Sequence, residues 1–154
     1  MPTSTRSLGY MLMGVFLGAV AMPLAAHPEE MDEPTGDWAK LNGTWEVTAY
    51  TDNGKPVDPS GDLRNRRDVF KEGKWTLLYM GKQNAVMNVN LDSTKSPAEI
   101  DIERTSGSGK GLKQKGIYKV QDGMLTICLS GVRPTEFESK AGSGRILVVL
   151  KRVD

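Results

Sequence analysis

The 154-residue chain has one cysteine, Cys128, and one histidine, His27. A lone cysteine permits no internal disulfide in a monomer and no cysteine cluster for zinc. A lone histidine in a polar N-terminal segment leaves a Ser-His-Asp triad, a Cys-His pair or a multi-histidine metal centre without its central residue. A tail residue is not held firmly enough to serve such a geometry. No enzymatic activity, metal site or cofactor is therefore expected. An excess of one charge is lacking too, with 20 Lys and Arg against 19 Asp and Glu. Nucleic acid, which calls for a strongly basic face, is not an expected partner.

The most apolar stretch is N-terminal. Met1 to Arg6 is short and carries one positive charge. Leu8 to Val20 is apolar apart from glycines and Tyr10, and Ala21-Met22-Pro23-Leu24-Ala25-Ala26 follows with small residues. This is the three-part layout of a secretory signal peptide over residues 1–26. Pro23 ends the apolar helix and favours cleavage after Ala26; Ala19-Val20-Ala21 is a second acceptable site. The apolar run is shorter than the roughly 20 residues of a spanning helix, so no stable membrane span is expected after cleavage. With no cysteine nearby, a lipid-modified N-terminus is not expected either. The expected location is outside the cytoplasm, periplasmic or extracellular. Loss of Arg6 leaves 20 − 1 = 19 basic residues against 19 acidic ones. Residues 27–37, HPEEMDEPTGD, are acidic, proline-containing and poor in apolar side chains, which reads as a flexible leader. Residues 38–154 are enough for one domain with one core.

Within that domain the apolar period is two. Trp45, Val47 and Ala49 alternate with Glu46, Thr48 and Tyr50. The same alternation places Trp75, Leu77 and Tyr79 on one face, and likewise Met87, Val89 and Leu91, Ile100 and Ile102, and Leu125, Ile127 and Leu129. Asp52-Asn53-Gly54, Glu72-Gly73, Met80-Gly81-Lys82, Asp122-Gly123 and Gly142-Ser143-Gly144 separate the runs. Asn-Gly and Asp-Gly pairs supply the positive φ angles of tight hairpins. About eight strands joined by consecutive hairpins must close on themselves or stack to hide their edges. The expectation is an all-β, antiparallel up-and-down β-barrel.

Leu41-Asn42-Gly43-Thr44-Trp45 resembles the Gly-x-Trp signature that opens lipocalins and their relatives. Further pieces follow in order: Asn53-Gly54-Lys55-Pro56-Val57, Pro97 with Ile100-Asp101, Lys115-Gly116-Ile117-Tyr118, Asp122 to Cys128, Arg133-Pro134-Thr135-Glu136-Phe137 and Leu150-Lys151-Arg152. Together they resemble a lipocalin-like domain family abundant in planctomycete bacteria, and they span nearly the whole domain. That resemblance implies a lipocalin-like barrel and no known reaction. In lipocalins an arginine near the chain's end packs on the Gly-x-Trp tryptophan and seals one end. The resemblance implies this structural closure for Trp45, with Arg152 at the terminal position and Arg133 as its competitor.

Other local patterns have plainer readings. Gly107-Ser108-Gly109-Lys110-Gly111 lacks the Ser or Thr that follows Lys in a phosphate-binding loop, and reads as a hairpin loop. Asp101 and Glu103 share one face, the wet side of a strand whose dry side holds Ile100 and Ile102. Arg64, Arg66 and Arg67, like Lys110, Lys113 and Lys115, read as solvated loop and strand-edge charge. Cys128 faces away from Ile127 and Leu129 and reads as an inert thiol. Pro134 and the residue before it suit a strand entrance, so the RPTEF stretch reads as a closure element.

An eight-strand barrel either fills with side chains or holds one small ligand. The inward set expected here is Val47, Leu77, Met87, Val89, Ile102, Ile127 and Val148, a lining for a small apolar or amphipathic ligand. The alternative is a cell-envelope interaction or structural module with a filled core. Leu147 and Val149, apolar on the opposite face of the last strand, then await cover by the Trp38 segment or by a protein partner.

Overall fold

The computed structural model describes residues 36–154. Residues 1–35, with the expected signal peptide and nearly all of the acidic leader, lie outside the described residues. The period-two pattern and its glycine turns produce one short helix and nine strands: α1 (Asp37–Leu41), β1 (Gly43–Asp52), β2 (Lys55–Val57), β3 (Arg66–Lys71), β4 (Lys74–Tyr79), β5 (Lys82–Asp92), β6 (Ala98–Ser106), β7 (Lys113–Gln121), β8 (Met124–Ser130) and β9 (Ile146–Arg152). All pairings are antiparallel, in the order β2-β1-β3-β4-β5-β6-β7-β8-β9, and β1 also pairs with β9. Strands β1 and β3–β9 therefore close an eight-strand up-and-down barrel. Strand β2 is an addition, paired with Tyr50–Asp52 while β3 takes Gly43–Trp45. Three residues with Pro56 in the middle make β2 a poor template for edge-to-edge association.

Four hairpins turn in two residues. Asn53, Glu72, Met80 and Asp122 have φ between 48° and 53°, and the glycine after each lies between 73° and 82°. Two successive positive φ angles are the type I′ geometry, whose twist matches the flanking strands. Glu72 and Met80 adopt it although neither is a customary residue there.

The inward faces converge on one core. Trp45, Phe70, Ile100, Leu125, Ile127 and Leu150 are fully buried, and Phe70 stacks on Trp75 at 5.0 Å. Helix α1 plugs the end where β1 begins. Leu41 is buried there, its carbonyl accepts from Trp45 Nε1 at 2.8 Å, and Trp38 packs against the interior cluster. Asp37, expected in the flexible leader, is instead the first residue of this helix and accepts from Tyr118 Oη at 2.6 Å. That hydrogen bond holds the Asp37 carboxyl below its usual range despite opposing burial, with Lys40 helping. Tyr118 is pushed up by burial and then by Asp37.

Arg152 lies opposite Trp45 in the β1–β9 register and its guanidinium sits 4.4 Å above the indole. It donates onward to the carbonyls of Asn42 and Lys40. Gly43, at φ 136°, is where the guanidinium passes; a Cβ there would collide with Arg152 Nη1. The glycine of the Gly-x-Trp element thus makes room for the arginine that covers its tryptophan. Arg133, the other residue expected at this closure, does not reach Trp45. It lies on the outer surface, drawn to two carboxylates described below.

Two inward assignments change. A bulge between Val47 and Ala49 shifts the β1–β9 register, so Tyr50 pairs with Val148 and faces in while Ala49 is exposed. Arg66, expected as solvated charge, is inward on β3. It donates to Asp68 through Nε at 2.6 Å and Nη2 at 2.8 Å. Asp68 has no exposure at all and also accepts from Trp75 Nε1 at 3.0 Å. Burial opposes the Arg66 charge, but the Asp68 hydrogen bonds and charge outweigh it and raise its proton affinity.

Candidate functional site

The two ends of the barrel differ. At the α1 end, Leu41, Trp45 and Arg152 seal the interior. At the other end, where β1 runs into the Asn53-Gly54 turn, a cavity of about 60 Å³ remains. Every barrel strand contributes a side chain to it. Its floor is apolar, with Trp75, Leu77, Met87, Ile102, Leu129 and Val148, and Ile146 stands higher on β9. Its rim is polar, built from Tyr50, Arg66, Arg104 and Gln114. Tyr50 lies under Arg66, with the guanidinium 5.8 Å from its ring centroid, and burial raises its pKa, so it stays a neutral hydroxyl.

Of the seven residues expected to line a ligand space, Leu77, Met87, Ile102 and Val148 do. Val47, Val89 and Ile127 are buried but do not border this cavity; they fill the interior nearer α1. The apolar pattern did not single out Arg66, Arg104 or Gln114, because polar residues on a strand read as its wet face. Their period-two spacing from Phe70, Ile102 and Gly116 is the signal that places them inside.

The Gly107–Leu112 turn is bonded to Arg104 of the rim. Gly111 N donates to Arg104 O at 2.7 Å, Arg104 N to Leu112 O at 2.9 Å, and Arg104 Nη1 to Ser108 O at 2.7 Å. The Gly-Ser-Gly-Lys-Gly stretch is thus a turn between β6 and β7.

A second arrangement lies outside the barrel. Residues 131–145 link β8 to β9 and strap the outer face of β6, β7 and β8. Arg133 donates to Gly116 O at 2.7 Å and to Asp101 Oδ1 at 2.6 Å, with Glu99 Oε2 3.4 Å from its Nε. Lys119 stands 4.8 Å from the Phe137 ring centroid, and Pro134 is buried. The far end of the strap is tied to the β1–β2 turn: Asn53 N donates to Arg145 O at 2.8 Å and Gly54 N to Ser139 Oγ at 3.1 Å. A Cβ on Gly54 would strike the backbone of Ala141. Ile117 and Cys128, which face outward, are buried as a result. The Cys128 thiol donates to Glu138 O at 3.6 Å, and burial raises its pKa against small opposing effects of that bond and of Arg145. Asp101 is thereby an acceptor for Arg133, and Glu103 stays exposed beside Lys113 at 3.9 Å.

Leu147 and Val149 are half-buried beside Cys128 and Thr126 in the β8–β9 register. Trp38 is not their cover, since it packs against the interior cluster with α1. Replacing Arg133 with alanine should loosen the strap without opening the barrel. Cys128 in the native protein should then react with a thiol reagent about tenfold faster or more, the effect of losing roughly 1.4 kcal/mol from the local closing equilibrium. An unchanged labelling rate would show that Arg133 does not hold the strap down.

Comparison of the chain with protein-family models, with curated proteins and with solved structures finds no match. Among the described residues, no helix is long and apolar enough to cross a membrane.

Proposed function

We propose that this protein is an exported, non-enzymatic binding module of the lipocalin-like kind, which receives a small amphipathic molecule in the open end of its barrel. The observation that carries this reading is the cavity of about 60 Å³ with an apolar floor and a polar rim, at the end of the barrel away from α1. A cavity built only to be filled needs no rim of hydrogen-bonding groups, and few convergent polar groups over an apolar lining are the usual composition of a small-molecule site. The volume is well below the about 150 Å³ that accommodates benzene in an engineered cavity. The enclosed space therefore suits only a few non-hydrogen atoms. That same small volume favours a second reading, a cell-envelope interaction module with a filled core whose partner meets the Leu147 and Val149 face.

The structure separates two substitutions that the apolar pattern treats alike. Leu77 borders the cavity, whereas Ile127 is fully buried away from it. Leu77→Phe should occupy the cavity at little cost to folding. Ile127→Phe should overpack the interior and destabilise the fold by about 1–3 kcal/mol. Titration of the wild type with four-carbon probes, butanoate and 1-butanol, should shift the Met87 and Ile102 methyl resonances saturably, and Leu77→Phe should abolish the shifts. Absence of saturable shifts in the wild type would hand the case to the filled-core module.

A further inference from the structure

We propose that Arg104 is an anion anchor and that the open end of the barrel selects a short-chain monocarboxylate. The carboxylate meets the guanidinium at the rim, and the tail turns down onto Met87, Ile102 and Val148. This rests on the barrel-binding reading above and specifies its ligand chemistry.

The residues bordering the cavity include two arginines and no carboxylate. The two are not equivalent. Arg66 is committed to Asp68 by two hydrogen bonds at 2.6 and 2.8 Å. Arg104 makes no salt bridge among the described residues. One of its nitrogens donates to Ser108 O. Its Nε is buried and has no acceptor among the described residues. A guanidinium cannot relieve this by losing its proton, because arginine stays charged in proteins. A buried charged donor without an acceptor is costly, and the groups that satisfy it best are acceptor-only and anionic.

The rest of the rim fits the same ligand. Tyr50 is held protonated and offers a hydroxyl donor, and Gln114 offers an amide. Arg104 is fixed in the β6–β7 hairpin by backbone bonds at both its N–H and its carbonyl. The Ser108 contact then steers its guanidinium, so little ordering remains to be done on binding. Size and charge set the class. One free guanidinium over a space of about 60 Å³ matches a single carboxylate with a few methylenes. A phosphate dianion would set two negative charges against one unpaired guanidinium, and a cation would be repelled by that guanidinium.

The test compares butanoate, 1-butanol and butylammonium on the full chain, read by the Met87 and Ile102 methyl shifts. Butanoate should bind at least about tenfold more tightly than the other two, the factor one charge-assisted hydrogen bond supplies. Arg104→Gln should weaken butanoate by about tenfold or more and 1-butanol by much less, because a hydroxyl accepts from the guanidinium more weakly than a carboxylate does. Arg104→Lys, which keeps the charge, should retain most of the butanoate affinity. If Arg104→Gln fails to fold, the wild-type preference and the Arg104→Lys variant carry the test. Equal binding of butanoate and 1-butanol, or equal loss of both in Arg104→Gln, would overturn the anchor and leave the barrel-binding reading in place. No saturable shift with any of the three would overturn both.

Discussion

Replacing Trp45 with alanine should cost about 3–5 kcal/mol, the range for a buried aromatic in a core. The indole has no exposure, and three things depend on it. Its area is buried among Leu41, Phe70 and Leu150. Its Nε1 satisfies the Leu41 carbonyl at 2.8 Å, which holds the end of α1 against the barrel. Its face supports Arg152 at 4.4 Å, a contact worth about 0.5–2 kcal/mol depending on burial. Alanine removes all three and leaves a void at the sealed end. Urea unfolding of wild type and variant measures the difference. A loss under about 1 kcal/mol would be incompatible with a ring in the core.

An effect of similar size should follow from Asp68→Ala. The carboxylate is completely buried and receives two bonds from Arg66 and one from Trp75. Its removal strands the Arg66 charge beside Trp75 and Tyr50, and breaking one partner of a buried pair costs about 3–5 kcal/mol. The pair itself is a different matter, since exchanging both partners for apolar residues of similar volume is often neutral. Arg66→Met with Asp68→Leu should therefore recover most of the loss seen in Asp68→Ala alone. Equilibrium unfolding of the single and double variants gives the coupling directly. If the double variant is as unstable as Asp68→Ala, the polar network holds more than a compensated charge.

The contrast between β3 and its neighbours shows where the sequence is legible and where it is not. Trp45 with Val47, Trp75 with Leu77, Ile100 with Ile102, and Leu125 with Ile127 alternate cleanly, and each pair faces the core. The barrel follows from these runs and from the glycine turns, because period two fixes the face and the hairpins fix the order. Strand β3 presents Arg66, Asp68 and Phe70 to the inside. Two of those three are charged and read as a wet face, and they are tolerated inside because Arg66 and Asp68, two residues apart on one face, neutralise each other. Tyr50 was hidden for another reason: one extra residue in a bulge reverses every side chain after it, and no pattern of apolar residues marks the bulge in advance. Tyr50 and Arg66 are two of the four polar residues at the rim of the cavity. The apolar floor could thus be read in part, through Leu77, Met87, Ile102 and Val148. Arg66, Arg104 and Gln114 on the polar rim are marked only by their spacing from Phe70, Ile102 and Gly116, a signal that the polarity of the side chains masks.

The strap posed a different difficulty. Arg133, Pro134 and Phe137 look like the start of a strand, and Pro134 is indeed buried, but the segment lies over β6 and β7. Its anchors, Glu99 and Asp101, are about thirty residues away in sequence, with Asp101 32 residues from Arg133. Nothing local announces such a contact.

The order in which the strands are joined also sets the order in which they become available. From β4 to β9 each strand pairs with the one made just before it, across short turns for the most part. Strand β1 is made before them all, yet its longest ladder is with β9, and the Asn42–Arg152 bond spans 110 residues. While the chain is being synthesised, β1 has only the small β2 hairpin and β3 to hold it. The tryptophan that begins the barrel waits uncovered for the arginine that ends it. Strand β9, the last strand of the barrel to be made, is therefore the one that turns a row of hairpins into a cylinder, and deleting it would remove the seam itself.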